Sequence, residues 1–234
     1  MTIGARLADV ARFFLRPSYA AQPMPWGRAA ALALTILFAL DMVIDTLVAW
    51  LTDAWDAQAG FLPAPVEEDI SVAEDVFSAL VLAPVLEELL FRGWLTGRIA
   101  ALRFAIWGFA ALGLFAASLM VATDVAELLG LAGVAVVLMG LVQWSRTRER
   151  DTAVPAWFIR HFGWFVWGST VLFGLIHLGN YEPLESPLGL LVVLPQTIGG
   201  LLLAYTRTRL GLGAAIAHHA AYNAIFLAGD YGWW

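Results

Sequence analysis

Seven apolar runs, each about the ~20 residues needed to cross ~30 Å of hydrocarbon as a helix, constrain this chain more than any other feature. They fall at about 29–51, 76–97, 102–123, 125–144, 161–180, 187–205 and 211–229. In lipid every backbone N–H and C=O must be satisfied within the segment, so runs of this length are helices. A large soluble core is excluded by composition: 61% of the 234 residues are apolar and only 14% are charged, against about a quarter charged in a soluble domain. The expected fold is therefore all-α: a polytopic membrane protein with about seven transmembrane helices.

The charges set its orientation. All 13 basic residues are arginine. Arg6, Arg12, Arg16 and Arg28 precede the first run; Arg98 and Arg103 follow the second. Arg146, Arg148, Arg150 and Arg160 follow the fourth, and Arg207 and Arg209 the sixth. The other connections carry acids: Asp53, Asp56, Glu67, Glu68, Asp69, Glu74 and Asp75, then Asp124 and Glu127, then Glu182 and Glu185, and finally Asp230. Apart from Arg92, every arginine lies on alternate connections, the pattern of cytoplasmic loops. It predicts a cytoplasmic N-terminus, an external C-terminus and a longest external loop at 53–72. Trp233 and Trp234 read as an aromatic belt at the outer interface.

Residues 1–28 form a separate segment ahead of the membrane domain at 29–234. Within it Ile3, Leu7, Val10, Phe13 and Phe14 recur at helical spacing against Arg6, Asp9 and Arg12, which predicts an amphipathic helix on the inner membrane face. No apolar stretch followed by a small-residue cleavage site marks a cleavable signal peptide. With no cysteine in the chain, disulfides, thiolate metal sites and cysteine nucleophiles are excluded.

Against this background Glu87-Glu88-Leu89-Leu90-Phe91-Arg92 stands out. A single central acid costs roughly 2.5–3.5 kcal/mol on membrane-insertion scales, and intramembrane ionisable residues mark functional sites when partners can be named. One arginine cannot neutralise two acids, which weighs against a purely structural ion pair. Glu88 and Arg92 are four apart and share a helical face, whereas Glu87 is turned about 100° away. That spacing assigns Glu88–Arg92 an orienting role and leaves Glu87 for chemistry. The partners offered are His177 in the fifth run and His219 with Asn223, four apart, in the seventh. Flanking charges centre the second run beside Glu87 and the seventh beside His219, and set His177 roughly 9 Å outward of its own midpoint. His218 reads as a neighbour of the site. Asp41 and Asp45, also four apart, line a water-filled cavity or face a polar group of another helix. Gln196 and Thr197 offer interhelical hydrogen bonds, and Gly199, Gly200, Gly211 and Gly213 offer close helix packing.

Three motifs in order, Glu87-Glu88-x-x-x-Arg92, Phe173-x-x-x-His177 and His219-x-x-x-Asn223, resemble those of the CPBP family, the CAAX-protease and bacteriocin-processing intramembrane proteases, also called Abi. The resemblance covers about residues 76–229. Here runs three and four intervene between the glutamate and histidine motifs, an inserted hairpin that preserves helix direction. The resemblance implies an intramembrane endopeptidase of a bacterial inner membrane. Glu87 and His177 would hold and activate water, Asn223 with His219 would donate to the oxyanion, and Glu88 and Arg92 would orient the site. Its expected partners are a peptide or membrane-protein substrate and the lipid bilayer, with no nucleic acid.

The chemistry is consistent with that reading, since peptide hydrolysis needs an activated water, an acid for the leaving amine and oxyanion donors. A divalent metal such as zinc is the one cofactor in question, held by Glu87, His177 and His219 if the enzyme is metal-dependent. Those residues lie on separate helices without the close spacing of a familiar zinc motif, which favours glutamate-type catalysis. The competing class is a non-proteolytic scaffold, immunity factor or proton-coupled transporter using the same buried acids as a relay. No internal repeat of the kind common in transporters is visible.

Overall fold

The computed structural model describes residues 2–66 and 70–233; the acids at 67–69 and Trp234 lie outside the described residues. Helices dominate, and among the described residues the only β pairing is an isolated bridge between Pro65 and Tyr181. The helices are α1 (Ile3–Leu15), α2 (Arg28–Ala59), α3 (Val72–Phe77), α4 (Ala83–Glu87), α5 (Ile99–Ser118), α6 (Thr123–Thr147), α7 (Ala156–Arg160), α8 (Phe162–Ile176), α9 (Leu194–Leu210) and α10 (Leu212–Asp230). Five helical stretches are long and apolar enough to cross a membrane: α2, α5, α6, α8 with its 3₁₀ extension to Asn180, and α9 with the 3₁₀ turn from Pro187 that precedes it. The other two expected runs are the interesting ones. The run at 76–97 is broken into short pieces, and α10 carries His218, His219, Tyr222 and Asn223, which dilute its apolar character.

The chain divides into two compact units. The first comprises residues up to Glu88 together with those from Phe162 on; the second is Leu89–His161.

In the first unit α2 runs 32 residues, past the expected end of its membrane run and through Asp53 and Asp56. It stops at Gly60, where Asp56 Oδ1 accepts the N–H of Leu62 at 2.7 Å and so satisfies a backbone donor at the helix end. Helix α9 packs against α2, α8 and α10. Its buried stretch includes Leu201, Leu202, Leu203, Ala204 and Tyr205. Close approach to α8 needs Gly174, where a Cβ would run into Thr197 Oγ1. Thr197 itself bonds within α9, to Val193 O at 2.8 Å, and not across helices as expected. Gly211 links α9 to α10 with φ +99°, a conformation that favours glycine. Its role is this turn, whereas Gly213 faces nothing within 4 Å.

The amphipathic helix α1 is present, N-capped by Thr2, whose Oγ1 accepts from Ala5 N at 3.3 Å. Its inner face packs on α9: Phe13 meets Tyr205 edge-on at 5.3 Å. Asp9 accepts from Tyr205 Oη at 2.9 Å and from Arg209 Nε at 3.3 Å. Burial raises the Asp9 carboxyl, but these donors, with Arg12, outweigh it and hold it below its ordinary value.

The second unit is built on the α5–α6 hairpin. Trp107 Nε1 donates to Gln143 Oε1 at 2.8 Å, and Arg103 pairs with Asp151. Gly140 lets Trp107 close in, since a Cβ there would stand 2.7 Å from the Trp107 Cβ. The outward faces expose Ile106, Leu128, Leu131 and Leu138, as lipid-facing helices do.

Candidate active site

The site begins with the broken run. After α3 the chain forms a π turn over Ser78–Leu82, then α4, a second π turn over Glu88–Arg92, and a 3₁₀ turn over Gly93–Thr96. Such turns inside helices concentrate at functional sites because they re-aim side chains. Pro84 accounts for one consequence. The N–H of Ala83 reaches back five residues to Ser78 O. The next residue in that register is Pro84, which has no N–H for Ala79 O. Asn223 of α10 supplies the missing donor, Nδ2 to Ala79 O at 2.8 Å. One amide hydrogen of Asn223 is thus committed to the backbone and the second is left for other work.

The second π turn starts at Glu88, the first residue after α4. Glu88 is fully buried, and its Oε1 accepts from His219 Nδ1 at 3.1 Å. On the other side of the same imidazole, His219 Nε2 stands 3.8 Å from Glu87 Oε2. The two acids therefore share one histidine. Glu87 is not turned away from Glu88's partner, as ideal α-helical spacing implied, because the chain leaves α geometry between them. Glu88, expected to orient the site together with Arg92, meets His219. Arg92 is itself buried and closes the π turn, within the second unit.

His177 begins the 3₁₀ turn that follows α8. Its Nδ1 donates to Phe173 O at 2.7 Å, four residues back, which leaves the lone pair on Nε2 in the neutral ring. The spacing of the second motif thus has a physical meaning: Phe173 fixes the tautomer of His177. The Phe173 ring also lies against both imidazoles, 4.7 Å from that of His177 and 6.0 Å from that of His219. His177, His219, Asn223 and Phe173 line one cavity of about 600 Å³.

A second acid–histidine pair lies behind the first. His218 is buried, with Nδ1 3.1 Å from Thr206 Oγ1 and Nε2 3.2 Å from Asp41 Oδ2. Asp41 thus both faces a polar group of another helix and lines the cavity. Asp45, one turn along α2, hydrogen-bonds the Tyr222 hydroxyl of α10. Sequence reasoning named Asp41, Asp45 and His218 but missed Thr206 and Tyr222. The costly Asp41/Asp45 spacing was the signal that α2 needed polar partners nearby.

The donor set considered for zinc does not assemble. Among the described residues no three His, Cys, Asp or Glu side chains are grouped as a metal requires, Glu87, His177 and His219 included. His219 also gives its Nδ1 to Glu88.

Fold and site together define a multi-pass helical membrane protein with an acid–histidine–asparagine centre on its first unit. Comparison with known families is specific. A family model described as Type II CAAX prenyl endopeptidase Rce1-like matches residues 70–158 and 150–225, two-thirds of the chain. The chain belongs to this family of intramembrane CAAX proteases, in agreement with the three motifs. No curated protein and no solved structure matches it.

Proposed function

We propose that this protein is an intramembrane endopeptidase whose base is Glu87, acting on water in a membrane-embedded cavity. The observation that carries the reading is the His219 ring held between Glu88 and Glu87, in the wall of a cavity shared with His177 and Asn223. A water about 2.8 Å from both Glu87 Oε2 and His219 Nε2 completes a triangle on their 3.8 Å separation. Glu88 fixes His219 in the tautomer with its lone pair on Nε2, so both neighbours accept hydrogens from that water and leave its oxygen lone pair for attack. His177 lines the same cavity, and its Nε2, an acceptor, takes a hydrogen bond from a peptide N–H of the substrate. As the water oxygen bonds to the scissile carbonyl carbon, Glu87 takes its proton. The remaining Asn223 amide hydrogen donates to the developing oxyanion. When the C–N bond breaks, Glu87 returns the proton to the leaving amine nitrogen. Arg92 supports the turn that presents both glutamates.

The proposed setting is a bacterial inner membrane crossed seven times, with the arginine-rich connections cytoplasmic and the C-terminus outside. The exposed Ile3, Leu7 and Leu15 suit α1 to the inner interface. The family's name refers to prenylated substrates; for this chain a peptide leader or membrane-protein segment is proposed. The test is cleavage of a quenched-fluorescent peptide library by detergent-purified protein, beside Glu87→Ala and beside a chelator. Loss in the mutant with retention in chelator supports glutamate-type catalysis. Loss in both points to a metal, and cleavage by Glu87→Ala sinks the assignment.

A further inference from the structure

The lining of the cavity beside His219 passes from buried to exposed residues, and the charged residues on its exposed side are acids. Its exposed lining is Asp53 near the end of α2, Asn180 after α8, and Phe226 and Asp230 towards the end of α10. At the other extreme it is closed by the buried Asp41, Phe173 and Leu203. Among the described residues no arginine lines it. Helix rise gives its depth twice over: Asp41 to Asp53 on α2 is about 18 Å, and His219 to Asp230 on α10 about 17 Å. That length holds about five residues of extended chain. Midway, Gln196 Oε1 is buried and without a hydrogen-bond partner, while its Nε2 reaches Tyr181 Oη at 3.5 Å. It is an acceptor available to a peptide N–H.

We propose that substrate enters at the Asp53/Asp230 end and lies along this cavity as an extended peptide of neutral or cationic, not acidic, residues. The proposal rests on the peptidase reading and adds to it the route and the charge class. Clefts walled by low-dielectric protein and lined by one sign of charge concentrate the opposite sign. In the proposed orientation this end is non-cytoplasmic, so the substrate is a segment exposed on the outer side of the membrane.

The absence of native cysteine permits a test independent of activity. Leu203→Cys, at the closed end, is reacted in oriented proteoliposomes with two membrane-impermeant thiol reagents, trimethylammonium-ethyl and sulfonato-ethyl methanethiosulfonate. Arg28→Cys, at the far end of α2, reports the opposite side. The expected result is modification only from the side opposite Arg28, with the cationic reagent favoured about tenfold or more once each rate is divided by that reagent's rate with a free thiol in solution. That ratio falls several-fold in Asp53→Asn/Asp230→Asn. Modification from the Arg28 side, no modification from either side, or a ratio unmoved by the double variant overturns the proposal. If Leu203→Cys does not fold, Gly199→Cys, whose Cβ would stand 3.5 Å from Asp41 Oδ1 in the same cavity, gives the same readout. Failure of the peptidase reading shows separately, as library peptides left intact by wild type while the thiol rates stand.

Discussion

The stretch from Val72 to Thr96 and helix α6 are of similar length, and they behave in opposite ways. Helix α6 runs unbroken for 25 residues, is apolar on nearly every side and packs on α5 through small residues. The other stretch changes helical type four times within the same span. The difference lies in what each buries. Helix α6 buries only packing contacts, which regular geometry serves best. The broken stretch must aim two carboxylates at one imidazole and surrender a carbonyl to Asn223. Regular α-helix cannot do both, and Pro84 removes the donor that would have held it regular.

The sharpest way to break the comparison is in the broken stretch. Glu87→Ala is expected to lower kcat by about 10³-fold or more, within the range for loss of a general base, while size-exclusion profile and helical content stay unchanged. A loss of helicity relative to wild type would mean that Glu87 is structural.

Asn223→Ala comes next. Loss of an oxyanion donor lowers kcat by about 10²-fold with little change in KM. Pro84→Ala restores an N–H that competes for Ala79 O, and a fall in kcat of several-fold, smaller than for Asn223→Ala, is expected if the proline is what turns Asn223 to that carbonyl. An unchanged kcat in Pro84→Ala would detach the proline from the site.

The counterpart in α6 is Gly140→Leu. Overpacking against Trp107 costs about 1–3 kcal/mol and lowers the thermal midpoint in detergent, yet kcat measured below that midpoint is unaffected. A kcat that fell with stability would show that the hairpin reaches the chemistry.

The smallest expected effect concerns α1. Asp9 is held below its ordinary 3.8 by Tyr205 and Arg209 despite the opposing effect of burial. A depressed carboxyl stabilises the fold fully above its unfolded value and loses that contribution as pH falls through the folded one. Docking of α1 is therefore expected to hold above pH 4 and weaken below it, and Asp9→Asn flattens this acid dependence with a change of about 1 kcal/mol or less. Limited proteolysis of the N-terminal segment against pH is the measurement.

Much of this protein was legible in one dimension. Apolar runs located the five helical stretches long enough to cross a membrane, because solvent preference is a local property of each side chain. The expected ends differed where polar residues continue a helix beyond hydrocarbon, as in α2 through Asp56. The ionisable residues of the site were also legible, since each one stands out against an apolar neighbourhood.

Which of them meet was not. The argument that set Glu87 about 100° away from Glu88 assumed regular α geometry, and the chain enters a π turn at Glu88. Glu88 and His219 are 131 residues apart, and no local pattern says which acid an imidazole will face. The same holds for His218, assigned in sequence to the margin of the site and found between Asp41 and Thr206. By itself, then, the sequence determined the helical class, the alternation of charge and the set of candidate ionisable side chains, all consequences of each residue's own hydration. The tertiary structure alone decided their pairing and the acid-bordered opening of the cavity, because those depend on how helices distant in the chain approach and on backbone turns that propensity does not reveal.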